Sequence, residues 1–290
     1  MKKIAVLTLA AGLFTAQPAW AMESSMFADE SPETTSESDA VVSVRVDDSD
    51  PADGVCTGTA ISPHWVITAR HCVEAAKKPA GSVRAGQGAM QFNYQIDRWE
   101  VAPQGDIALA HTVEEMQIVS FPDIAEQEPT GEVNIYGWSS DGSGGSTRLP
   151  MARAKVRGSS PLALFDAPSA LDVALHDGAR IQPGDSGGAI FSGGKVAGIM
   201  SAGLFEDPEH PTEEEMTSNS AVSVAPVAGQ TEWIRSKLAE PELSPEERMP
   251  AGDEARGSGL PGLTWVGAAA AVLALAAIAV TAASRRNGAN

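Results

Sequence analysis

Three stretches of this 290-residue chain hold side chains that could act together on a carbonyl group. In Gly184-Asp185-Ser186-Gly187-Gly188 a serine stands among glycines, which lets the backbone turn sharply and aim two N–H groups at one spot. That suits a nucleophile with an oxyanion site, because preoriented donors stabilise the charge that develops there. A serine hydroxyl also needs a neighbouring base to lose its proton. The run from Cys56 to Cys72 places His71 beside a cysteine, just after the β-rich His64-Trp65-Val66-Ile67-Thr68. Gly105-Asp106-Ile107-Ala108-Leu109-Ala110 places one carboxylate before an apolar stretch. The chemistry would be acyl transfer, with its groups in the order His, Asp, Ser.

That order decides between two readings of the serine. The glycine pattern alone fits a plain turn, or the Gly-x-Ser-x-Gly elbow of α/β-hydrolases. The elbow needs acid and then histidine after the serine, and only His210 follows, in the acidic run Glu206-Asp207-Pro208-Glu209-His210-Pro211. The residues after Ser186 are also β-like rather than helical. The elbow reading fails on both grounds. His64, His111 and His176 have no matching partners and read as surface or packing residues. No His/Asp/Glu cluster has metal-ligand spacing, so neither metal nor cofactor is expected.

The elements that must position these groups are short and β-rich: residues 41–46, 64–68, 133–136, 189–191 and 196–200. Turn clusters separate them, and the spacing describes an all-β barrel or sandwich. Residues 229–238 are the exception: Trp233, Ile234, Lys237 and Leu238 fall at helical spacing. With 20 basic and 38 acidic residues the net charge is −18, which argues against a nucleic-acid partner. Two cysteines exclude a disulfide-dense scaffold.

The ends read as targeting signals. Residues 1–21 have a charged start, an apolar run and Ala19-Trp20-Ala21, the pattern of a signal peptide. Residues 22–40 are acidic and expected to be disordered, the folded domain spans 41–238, and 239–262 form a Pro/Gly/acidic stalk. Residues 263–284 are uncharged and long enough as a helix to span a bilayer, and 285–290 form a short basic tail on the cytoplasmic side. These features predict a single-pass cell-membrane protein with its domain outside, held by one C-terminal helix. Leu260-Pro261-Gly262-Leu263-Thr264 keeps a cell-wall sorting signal open as an alternative.

Together the Cys56–Cys72 segment, the Asp106 segment, Gly137-Trp138, the serine motif and Gly198-Ile199-Met200-Ser201-Ala202-Gly203 resemble trypsin-like (chymotrypsin-fold) serine proteases, here a membrane-anchored bacterial-type member. The resemblance covers residues 41–238. It implies two antiparallel six-stranded barrels, near 41–123 and 124–223, with a C-terminal helix, and a protein or peptide as substrate. Ser186 would attack the scissile carbonyl, His71 would take its proton, and Asp106 would hold the ring tautomer. The N–H groups of Gly184 and Ser186 would bind the oxyanion, and Ser201, Ala202 and Gly203 would pair with substrate backbone. Cys56 and Cys72 match the family's disulfide. Arg180, six residues before the serine, would form the floor of the primary pocket and disfavour Lys or Arg side chains there.

Three positions depart from the family pattern. No Ile-Val-Gly-Gly-like string precedes Val41, which leaves Asp185 in need of another partner. Arg70 stands before His71 where a small residue is common. Gln182 replaces a cysteine four residues before the serine. None of these removes a catalytic atom. The expected function is a membrane-tethered extracellular serine endopeptidase. A catalytically silent protease-fold binding module is the alternative, and a non-proteolytic esterase a weaker third.

Overall fold

In the computed structural model, the described residues are 35–46, 55–74, 79–87, 90–138, 149–205, 207 and 210–241. Twelve strands form two closed antiparallel barrels. The first holds β1 (Val41–Arg45), β2 (Val55–Ala60), β3 (Trp65–Thr68), β4 (Ser82–Gln87), β5 (Met90–Val101) and β6 (Ala108–Thr112), in the order β1-β2-β3-β6-β5-β4. The second holds β7 (Gly131–Tyr136), β8 (Met151–Ser159), β9 (Leu171–Leu175), β10 (Ala189–Ser192), β11 (Lys195–Gly203) and β12 (Ala221–Pro226), in the order β10-β11-β12-β9-β8-β7. The two six-stranded barrels expected from the resemblance are present. Closure leaves neither sheet with an edge strand.

β9 shows how composition selects such a strand: Leu171, Val173 and Leu175 are buried while Asp172 and Ala174 are half-buried. The inner residues fill the second barrel together with Ile135, Ile190, Met200 and Val224. A larger cluster fills the first barrel and runs on into the seam with Tyr136, Trp138, Phe191 and Ile199. A short helix α3 (Glu213–Ser218) precedes β12, and the chain ends its fold with a 3-10 turn (Ala228–Gln230) and the helix α4 (Thr231–Leu238), whose fully buried Ile234 joins that cluster. Burying such a side chain contributes about 1.5–3 kcal/mol.

The acidic segment 22–40 is ordered at its end. Thr35 caps the short helix α1 (Ser36–Ala40), and Glu37 accepts hydrogen bonds from Asn134 Nδ2 and Tyr136 Oη, each at 3.0 Å. Composition predicted no such helix, because its stability comes from docking on β7 rather than from its own apolar surface. Residues 22–34, the leader 1–21 and the stalk lie outside the described residues, except for its first residues, 239–241.

The membrane-anchored expectation is corrected. Segment 263–284 lies outside the described residues, and among those described no helix is long and apolar enough to cross a membrane. The longest, α4, has eight residues, about 12 Å at 1.5 Å per residue against a hydrocarbon core of about 30 Å. The transmembrane helix, the membrane as a partner and the single-pass cell-membrane placement are therefore not supported, nor is the description of the chain as a membrane-anchored family member.

Candidate active site

His71 enters the site from the end of β3. Ala69 is fully buried after that strand, and the short helix α2 (Arg70–Glu74) starts at once, so His71 lies in its first turn. Asp106 lies in the hairpin between β5 and β6, which Ala102 N–H closes on the Ile107 carbonyl at 2.9 Å. One residue engages both carboxylate oxygens. The His71 amide N–H donates to Asp106 Oδ1 at 2.9 Å, and His71 Nδ1 meets Oδ2 at 2.7 Å. Asp106 is only 1% exposed. A carboxylate acceptor calls for the proton on Nδ1, which in a neutral imidazole leaves the lone pair on Nε2. Hydrogen bonds to a charged group contribute about 1.5–3 kcal/mol each, enough to fix ring and tautomer together.

The serine loop, residues 182–188, belongs to the second barrel but is held by the first. Thr57 of β2 donates its amide N–H to the Ser186 carbonyl and its Oγ1 to the Gly184 carbonyl, each at 2.8 Å, and accepts the Trp138 N–H at 2.7 Å. Gly187 has φ +83°, and a Cβ there would come within 2.2 Å of Thr68 Oγ1 and 2.3 Å of the Thr57 carbonyl. Only glycine lets the loop approach β2 and β3 so closely. The buried Asp185 accepts the Gln182 N–H at 2.7 Å, so Gln182, standing where a cysteine was expected, supplies a partner through its backbone.

The disulfide Cys56–Cys72 is formed and lies between histidine and serine: Cys72 Sγ is 3.7 Å from His71 Nε2 and 3.9 Å from the Ser186 carbonyl oxygen. Cys56, His71 and Cys72 lie within 4.8 Å of one another, but sulfurs joined to each other offer no thiolate to a metal. Among the described residues, no hydrogen bond joins Ser186 Oγ to His71 Nε2, and no protein acceptor takes the N–H of Gly184 or Ser186.

Ser201, Ala202 and Gly203 form the end of β11. β10 pairs with β11 only as far as Ala189 opposite Ile199, so these three residues run beyond it, while on the other side Ser201 forms a bulge and Ala202 and Gly203 pair with Ser223 and Val222 of β12. Arg180 is half-buried in the segment after β9, where Ile181 N–H donates to the Asn219 carbonyl at 2.8 Å. Two residues of the site region carried no usable signal in the sequence. Thr57 sits in a strand without apolar alternation, 127 positions from Gly184, and Phe165 occupies a left-handed turn position that suits glycine or asparagine rather than phenylalanine.

The family model described as Trypsin matches residues 29–224. A Corynebacterium glutamicum protein provisionally named a peptidase is 27% identical over 248 residues, 80% of this chain and 78% of that protein. An uncharacterized peptidase of strain R of that species is 28% identical over 237 residues, again 80% and 78%. Among solved structures, human heparin binding protein aligns with a TM-score of 0.55 at 18% identity, over 74% of this chain and 98% of its own. A mutant of human heparin binding protein gives 0.56 at 18%, over 73% and 97%. At that identity the likeness is one of fold.

Proposed function

Because the chain belongs to the trypsin family, we propose that it is a serine endopeptidase acting on proteins or peptides. The observation that carries this reading is the two-point grip of Asp106 on His71, at 2.9 and 2.7 Å, in the barrel facing the Ser186 loop. Ser186 Oγ attacks the scissile carbonyl while His71 Nε2 takes its proton, and Asp106 stabilises the imidazolium that results. The tetrahedral oxygen is received by the Gly184 and Ser186 N–H groups, one such donor being worth about 2.7–4 kcal/mol. His71 then protonates the leaving amine, and water releases the acyl group by the same steps in reverse. Ser201 to Gly203 pair with substrate backbone as an added strand. The names of the two bacterial relatives point the same way.

A second reading, the catalytically silent binding module, draws on the absence of a hydrogen bond between Ser186 Oγ and His71 Nε2. Nucleophile–base contacts are often loose until substrate binds, so that absence does not by itself separate the two readings. A serine-directed phosphonate decides between the two. A peptidase is labelled at Ser186 and loses label in Ser186→Ala and His71→Ala; a silent module takes no label in any form.

A further inference from the structure

Arg70 and Gly105 immediately precede His71 and Asp106, and one loop of the second barrel touches both. The loop is residues 160–170, between β8 and β9. Its base is fixed in its own barrel, where Ser160 N–H donates to the Ala170 carbonyl at 2.7 Å and Ser223 Oγ of β12 donates to the Leu162 carbonyl at 2.5 Å. Its tip is a tight turn: Ala167 N–H reaches the Leu164 carbonyl at 3.3 Å, and Phe165 and Asp166 both have φ 55°. Two left-handed residues in succession suit glycine or asparagine; aspartate tolerates the conformation, and phenylalanine is strained in it.

In that strained conformation the Phe165 carbonyl accepts the Gly105 N–H at 2.9 Å, and the ring lies beneath the Arg70 guanidinium, whose Cζ is 4.7 Å from the ring centroid. Gly105 meets it with φ +83°. Glu74 holds the other side of Arg70, Nε to Oε1 at 2.8 Å, leaving its side chain 24% exposed. The family departure at Arg70 thereby acquires a physical account. A long, planar cation spans from the histidine helix to the second barrel, where a small residue would leave a gap.

We infer that Phe165 is a positioning residue: its ring on Arg70 and its carbonyl on Gly105 lock the His71–Asp106 couple against the barrel that carries Ser186. This rests on the serine-peptidase reading of the site. The reacting atoms belong to different barrels, and a misplacement of about 1 Å can cost about a hundredfold in rate. Strain kept at a functional site fits a contact that the surrounding structure enforces.

Phe165→Gly removes the ring and the left-handed strain in one step. Its thermal midpoint is expected to hold or rise. Its kcat is expected to fall about tenfold or more with KM within about twofold, and the His71 Nδ1 proton to exchange with solvent about tenfold faster by NMR. Phe165→Tyr keeps a ring and is expected to restore both. Asp166→Gly relieves strain at the neighbouring position and is expected to leave kcat and exchange unchanged. Wild-type exchange at His71 in Phe165→Gly, or equal losses in Asp166→Gly, would overturn the inference. Should Phe165→Gly unfold, Arg70→Met leaves the turn intact and carries the same readouts. Proton exchange does not need turnover. A wild-type chain that neither cleaves peptides nor takes phosphonate sinks the peptidase reading, while exchange still decides the clasp.

Discussion

The amide N–H of Thr57, in the first barrel, donates to the carbonyl of Ser186, in the second, at 2.8 Å. Thr57 Oγ1 binds the Gly184 carbonyl and the Trp138 N–H as well, so one threonine ties three points of the second barrel to β2. Thr57→Val keeps the shape and takes this partner from the buried Trp138 N–H and the half-buried Gly184 carbonyl, at about 1–3 kcal/mol each. The unfolding free energy is expected to drop by about 2–5 kcal/mol in a denaturant titration. Thr57→Ser keeps the oxygen and is expected to lose about 1 kcal/mol or less.

Ser186→Ala removes a hydroxyl from a turn whose architecture rests on backbone contacts. Stability is expected to stay within about 0.5 kcal/mol while peptide turnover collapses. Asp106→Asn offers His71 an amide of the same shape that favours the wrong tautomer, and kcat is expected to fall about ten-thousandfold. Steady-state rates on one peptide substrate check both, and activity surviving in Ser186→Ala would refute the assignment.

Tyr136 is 3% exposed and gives its hydroxyl proton to Glu37. Burial, and then the negative charge of Glu37, push its phenol pKa well above the ordinary value of 10.0. A raised folded-state pKa contributes stability that is complete below the unfolded value and is lost as pH climbs towards the folded one. Unfolding free energy is thus expected to decline from about pH 10 upwards. In Tyr136→Phe that part of the decline disappears, at a cost of about 1 kcal/mol near neutrality for the lost hydrogen bond. Denaturation midpoints between about pH 8 and 11 measure it.

If Arg180 lines the primary pocket, a Lys or Arg side chain entering it meets a like charge where water is scarce. Peptides that differ only in the residue before the scissile bond are expected to be cleaved slowest with Lys or Arg there. Arg180→Ala is expected to narrow that difference. Fastest cleavage after Lys or Arg would remove Arg180 from the pocket.

Local pattern was enough for much of this molecule. Short apolar, β-rich runs marked β1, β3, β7, β10 and β11, and helical spacing at Trp233, Ile234, Lys237 and Leu238 marked α4. His71, Asp106 and Ser186 were singled out by residue type, glycine neighbours and order along the chain, and the fold joins the first two as a hydrogen-bonded pair. β2, β5 and β8 were not, because threonines and half-exposed polar residues replace the apolar alternation that a single sequence displays. The helix α3 (Glu213–Ser218) did carry a local mark, the reciprocal cap between Thr212 and Glu215, directly after the run Glu206–Pro211 that read only as acidic.

Partnership between distant residues was decided by tertiary structure alone. Nothing near Thr57 specifies Gly184 or Ser186, nothing near Gly105 specifies Phe165, and the acids of α1 do not announce Tyr136. Such pairs form because closing two barrels against each other buries backbone N–H and carbonyl groups that water can no longer serve. Which groups then meet depends on register and closure across the whole domain. The candidate residues can therefore be picked out locally, while the contacts that hold their loops in place exist only in the assembled fold.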